Sequence, residues 1–196
     1  MPFQNPTPPL SPNDYYLGPN GGTLGYCAAE TMPRWALSGN FGLGNGTLEL
    51  IACYIPANTL ITKLGFVCGG TSANGPTHTW LGLYDSNRNQ LAMTADQLSA
   101  AVTTNTAYAF NIATTAAGAA SSFTTTYSGL YYIGVMSAAS TSPFNIYGES
   151  NTSIAVNAIA PIAIGTSDTT QTTVPAFPHQ AIALTVVSGC GFLYAA

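Results

Sequence analysis

The stretch LGLYDSNRNQLAMTAD, residues 81–96, places side-chain oxygens at Asp85, Asn87, Asn89 and Asp96. That is the spacing of positions 1, 3, 5 and 12 of a helical calcium loop. Such a loop also needs glycine at position 6 for its bend and a bidentate glutamate at position 12, between two helices. Gln90 and Asp96 stand in those places, and Leu91 and Met93 alternate with Ala92 and Thr94 as a strand does. The residue types therefore predict a turn and no metal site. In that turn Asp85 and Asn87 bond nearby backbone amides and close a hairpin between WLGLY and QLAMT.

Other chemistry-bearing residues are scattered. A nucleophile triad needs a histidine between a hydroxyl or thiol and an acid. His78 precedes a strand and His179 follows PAFP at the start of the last one, so loop and strand-edge roles account for both. There is no Gly-x-Ser-x-Gly elbow, and Ser188 in VVSGCG reads as a tight turn. The acids Asp14, Glu30, Glu49, Asp85, Asp96, Glu149 and Asp168 show no paired spacing of the kind a glycosidase would need. GNFGLGNGT, residues 39–47, lacks the lysine of a phosphate loop and reads as a link. Cys27, Cys53, Cys68 and Cys190 have no Cys-x-x-Cys spacing and, with no export signal in the N-terminal residues, read as reduced, buried thiols. The expectation is a protein that is not an enzyme and holds no cofactor.

Composition narrows the partners. Of 196 residues, only 5% are charged, against about 25% in ordinary soluble domains, so the surface must be polar with few charges. Three basic residues, Arg34, Lys63 and Arg88, cannot neutralise a run of phosphates, which removes nucleic acid as a partner. No window reaches the ~18 consecutive apolar residues of a membrane helix, so no membrane insertion is expected. A formal net charge of −4 gives weak mutual repulsion and suits a protein that sits in an assembly.

The elements that must carry these residues are strands. Residues 1–22 hold six of the 13 prolines, and residues 1–45 read as an extended anchoring arm whose Phe3, Leu10, Tyr15, Tyr16 and Leu17 are candidate partner contacts. Residues 46–196 read as one all-β domain, an antiparallel sandwich or jelly roll of about eight strands. Those strands include GTLELIACYI, SIAVNAIA and QAIALTVVS, with a short helix over Ala95–Val102 and a surface loop over Ala113–Ser122. Trp80, Tyr84, Tyr131, Tyr132 and Tyr147 fall on strands, where core or sheet-surface roles are usual. Among them Trp80 and Tyr132 are candidates for stacking on sugar rings.

The run YIPANTLITKLGFVCGGTSANGPTHTWLGLYDSNRNQLAMTADQ resembles a module of virion proteins from tailed phages that infect actinobacteria. The resemblance lies in Ile61, Thr62, Leu64, Gly65 and Phe66, then in Gly82, Leu83, Tyr84, Asp85, Leu91, Ala92, Thr94, Ala95 and Asp96, and in TYSGLYYIGVMSAAS further on. Asn87, Arg88 and Asn89 stand where the family usually carries a hairpin glycine. The resemblance covers about residues 46–140. It implies a non-enzymatic β-sandwich, made in the host cytoplasm and carried on the virion surface. The implied partners are other virion proteins, major capsid or tail subunits, with the arm docked on a neighbour. Capsid decoration, as a minor capsid protein, is the first role implied. The alternative is a minor tail protein or receptor-binding adhesin that recognises host cell-envelope polysaccharide.

Overall fold

The computed structural model describes residues 28–97, 100–150, 154–168, 176–181 and 184–196. The chain is nearly all-β and antiparallel. Its strands are β1 (Ala29–Glu30), β2 (Gly39–Gly42), β3 (Thr47–Ile55), β4 (Leu60–Ile61), β5 (Lys63–Val67), β6 (Asn74–Tyr84), β7 (Gln90–Thr94) and β8 (Ala107–Thr115). They continue with β9 (Gly118–Ala119), β10 (Phe123–Thr124), β11 (Gly129–Ser142), β12 (Asn145–Glu149), β13 (Ile164–Ser167), β14 (Thr185–Val186), β15 (Cys190–Gly191) and β16 (Leu193–Ala195).

One ladder runs β1-β16-β5-β8-β7-β6-β11-β3-β13-β14, with β9 paired to β8. β8 joins its two halves. Ala107–Asn111 pair with β5, while Ile112–Thr115 pair with β7. Because one strand serves both halves, a single continuous ladder supplies the two layers of a sandwich. A three-stranded sheet, β15-β12-β2, adds to the same core. The core brings together Leu64 and Phe66 of β5, Leu193 of β16, Leu81 and Leu83 of β6, Ile133 and Val135 of β11, and Ile146 of β12. Phe66 stacks on Phe144 at 4.7 Å between ring centroids, an arrangement worth about 1 kcal/mol beyond burial.

Side chains alternate along a strand, and here both alternating sets are buried in the central strands. On β3, Ile51, Cys53 and Ile55 face the main core, while Leu48 and Leu50 enter a second cluster with Trp80, Tyr84, Tyr132 and Met136. Ala181 and Leu184, from the C-terminal part of the chain, lie over that second face. A sheet covered on both sides reads as continuous apolar sequence. That is why neither face of these strands is polar in the sequence.

Several elements depart from expectation. Residues 28–45, assigned to the arm, are part of the domain. β1 pairs with β16, β2 pairs with β12, and Ala29, Phe41 and Leu43 are buried. Phe41 and Leu43 alternate with glycines, so the stretch that resembles a flexible link is a strand with one buried face. SIAVNAIA contributes no strand to the described residues; Ile154–Asn157 form a single helical turn. Among its described residues, QAIALTVVS contributes only β14 to the named strands. The described residues of Ala95–Val102 form no helix, and Ala113–Ser122 holds the end of β8 and the hairpin to β9. The arm contacts Phe3, Leu10, Tyr15, Tyr16 and Leu17 lie outside the described residues.

The second cluster rests on one close approach. Gly134 pairs with Gly82 across β11 and β6, and the ring of Tyr84 lies over both. A Cβ at Gly134 would fall 2.8 Å from Leu50 and 2.9 Å from the Tyr84 ring. We therefore expect Gly134→Ala to cost about 2 kcal/mol through overpacking, seen as a lower urea midpoint with an unchanged m-value.

Candidate functional site

Asp85 closes the β6–β7 hairpin as an Asx turn. Its Oδ1 accepts the backbone N–H groups of Asn87 and Asn89, each at 2.8 Å, and its Oδ2 accepts the Asn89 side-chain amide at 2.9 Å. Arg88 takes the left-handed conformation there, at φ 66°, which glycine adopts without steric cost and other residues adopt only when the turn holds them in it. Asp96 lies at the far end of β7 and faces elsewhere. Its Oδ2 meets His78 Nδ1 at 2.5 Å, and its Oδ1 accepts the Thr79 N–H at 3.1 Å. The oxygens that match calcium-loop spacing do not converge, and no metal-holding cluster of His, Cys, Asp and Glu forms among the described residues.

A second carboxylate–imidazole contact joins Asp168 and His179, with Oδ2 and Nε2 3.5 Å apart. Ser167 Oγ donates to the same Oδ2 at 2.7 Å. A hydrolytic triad places imidazole between hydroxyl and acid. Here the carboxylate is the hub, and the serine proton points to the acid. The surroundings give this group a structural task. Gln90 N–H donates to His179 O (2.8 Å), Ala181 N–H donates to Arg88 O (3.1 Å), and His179 N–H donates to Gln90 Oε1 (3.2 Å). The segment His179–Ala181 is thus strapped across the Asp85 turn. Beneath it Tyr84 is fully buried, its hydroxyl accepting Gln90 Nε2 at 3.4 Å, with the His179 ring edge-on at 6.4 Å. Burial first, and then the Asp168 carboxylate, hold the Tyr84 hydroxyl well above its ordinary pKa.

The two aromatic residues expected to meet sugars are in the second cluster. Trp80 is fully buried and Tyr132 nearly so, with its hydroxyl donating to Ile162 O at 3.0 Å. Neither offers a ring face to solvent, because both faces of the central sheet are covered. Among the described residues the exposed aromatics are Trp35, on a short 3-10 turn (Arg34–Ala36), and Tyr54. Trp35 is 79% exposed. It is flanked by the ion pair of Arg34 with Glu30 and by Ser38, which hydrogen-bonds Glu149. Its sequence signal was available, since Pro33 and the Ser38–Gly39 pair mark a turn around it.

Cys53, Cys68 and Cys190 are free thiols. Burial pushes Cys53 up to about 12 and Cys190 to about 11, and raises Cys68 as well, so these groups stay protonated and unreactive near neutrality. Cys27 lies outside the described residues.

Glu49 is the acid that sequence reading passed over. It sits on β3 at 3% exposure, with Oε1 accepting the Gly44 N–H at 3.3 Å. Its Oε2 has no hydrogen-bond partner among the described residues, and the same is true of the buried hydroxyls of Thr79 and Ser137, which are paired across β6 and β11. Gly46 N–H donates to Ser137 O at 2.9 Å, so the Gly44–Gly46 loop borders both the acid and this strand.

No protein-family model matches this chain, and no curated protein matches it.

Burial drives the Glu49 carboxyl from an ordinary 4.5 to about 7, partly opposed by the Gly44 N–H. Below pH 4.5 the group is protonated folded and unfolded, and burial carries no ionisation penalty. As pH rises toward 7 the unfolded chain releases its proton while the folded chain keeps it, so stability falls. The full loss is about 3 kcal/mol. Thermal unfolding from pH 4 to 8.5 should therefore show a decline that Glu49→Gln removes, the variant being the more stable protein at the alkaline end.

Proposed function

We propose that this protein is a structural component of a phage virion that decorates the capsid surface, with its N-terminal segment docked on neighbouring subunits. The observation that carries the reading is the β5–β6–β7 unit. Most of the residues in which the chain resembles virion modules lie on or beside these three strands, and Asp85 closes the β6–β7 hairpin through two backbone amides and the Asn89 side-chain amide. Two further features support it. The chain has ten charged residues in 196, so a shell neighbour meets a surface with few ions to desolvate. The Pro-rich residues 1–22 carry large apolar side chains that a spacer has no use for.

The test is particle incorporation. Removal of residues 1–22 should reduce occupancy on purified particles to background while circular dichroism still reports the β domain. Normal occupancy would overturn the anchoring role.

A second reading, a tail adhesin for host-envelope polysaccharide, draws on the exposed Trp35 beside Ser38, Glu149 and the Arg34–Glu30 pair, since a sugar face can stack on an exposed indole next to polar groups. On that reading the purified protein binds cell-envelope polysaccharide, and Trp35→Ala weakens binding at least about tenfold, the loss of roughly one stacked ring. Absence of binding by the unaltered protein would dismiss it.

A further inference from the structure

The turn after β12 is built inside out. Ile154, Val156 and Ile159 are 55%, 61% and 67% exposed, and every other residue of 154–161 is exposed except Asn157. Asn157 is 5% exposed, and its side-chain amide donates to Val187 O at 2.8 Å and to Gly189 O at 3.3 Å. The polar residue is drawn inward to hold the turn on the C-terminal chain, which forces the aliphatic residues out. No charged residue occurs from 150 to 167, so nothing at this patch repels an apolar partner. Single exposed apolar side chains need no explanation, but three on one turn held in this orientation mark a contact surface.

The chain itself contains a matching occupant. Residues 1–27, outside the described residues, carry Tyr15, Tyr16 and Leu17 in succession, six prolines and one charged residue, Asp14. Proline-rich stretches bind apolar surfaces at low entropic cost because their backbone is already restricted. The direction in which this segment leaves the domain decides whose patch it meets. Thr31 Oγ donates to Gly191 O at 2.8 Å, close along the chain to the Gly189 carbonyl that holds Asn157. From Thr31 back to Ala29, however, β1 runs antiparallel along β16 from Leu193 to Ala195. Ala28, the first described residue, therefore sits beside Ala195, at the end of β16 remote along the chain from the Gly189 carbonyl that holds the patch.

We infer that the apolar turn of one copy seats the Tyr15–Leu17 stretch of a second copy, so that copies join head to tail through their N-terminal segments. The contact is heterologous, since each copy gives a segment and receives another, and it closes into a ring or extends as an array. The ten residues between Leu17 and Ala28 span up to about 35 Å, enough to reach an adjacent domain. The inference rests on reading the N-terminal segment as a docking arm, and it names the partner as this same protein.

The test uses the purified full chain with no virion component, so its failure is separable from failure of particle incorporation. Ile159→p-benzoyl-phenylalanine places a photoreactive group on the patch. Irradiation should give a product of twice the chain mass on a denaturing gel, and peptide mass spectrometry should place the link within residues 1–27. A link to residues 1–27 at single-chain mass, a link to any other peptide, or no link at the highest soluble concentration would overturn the inference. Sedimentation equilibrium provides an independent reading. Ile159→Asp, at an exposed position that leaves the circular dichroism unchanged, should raise the self-dissociation constant at least about tenfold. An unchanged constant, or an unaltered protein that is monomeric throughout, would equally overturn it.

Discussion

The structure depends on a sheet that must be covered on both faces. β3, β6 and β11 send Ile51, Leu81, Leu83 and Ile133 into one core and Leu50, Trp80, Tyr84 and Met136 into another. An antiparallel sheet with one wet face can be stabilised by a single packed layer. With both faces apolar, two layers are required, and the chain supplies them differently. The main core is closed by regular strands, as β8 turns the ladder back on itself. The second face is smaller and is closed by the short segments around Ala181 and Leu184. Fully burying Trp80 and Tyr84 contributes about 2–3 kcal/mol each, provided that cover stays in place.

The polar groups make most sense as fastenings for that cover. The Asp85 turn could have been closed by its own hydrogen bonds alone. Instead Gln90 and Arg88 beside it also bind the backbone of His179 and Ala181, so the hairpin becomes a docking edge for a segment about ninety residues later in the chain. Asp168 and His179 stand at the same closure. An arrangement that resembles catalytic chemistry by residue type thus stands where the backbone of the same segment fastens one layer on another. Tyr84 links the two requirements, since its ring fills the hollow over Gly82 and Gly134 while its hydroxyl meets Gln90.

How much of this was legible in the sequence follows from the range of the interactions involved. Long strands with strong patterns, such as β3, β5, β7 and β11, lie where alternation and apolar runs place them, and the Asx turn follows from Asp85 and the residues next to it. Segments whose state is set by distant contacts were misread. SIAVNAIA alternates like a strand, but Asn157 is held by Val187 and Gly189, thirty residues on. β1 and β2 are too short, or too rich in glycine, to show a period. Trp80 and Tyr132 were read as candidates for an outward face because alternation assigns two faces to a strand. It cannot tell that a later segment covers the second one. Glu49 was visible as an acid inside an apolar run, but its burial depends on the loop Leu43–Gly46 closing over the end of β3.

The scarcity of charge shapes how the fold can be stabilised and how it can meet a partner. Arg34 is committed to Glu30, and Arg88 has a buried Nε without a hydrogen-bond partner among the described residues. The carboxylates accept largely from amides and hydroxyls: Asp85 from the Asn87 and Asn89 amides, Asp96 from Thr79 N–H, Asp168 from a serine hydroxyl. Bonds of this kind are short-ranged and weakly screened, so ionic strength has little hold on the fold. The same shortage removes long-range steering and like-charge exclusion as means of choosing partners. Specificity must then come from shape and from where apolar side chains are exposed. A chain in this position gains by confining such exposure to a turn whose orientation is fixed, and Asn157 fixes it with two carbonyls from the C-terminal chain.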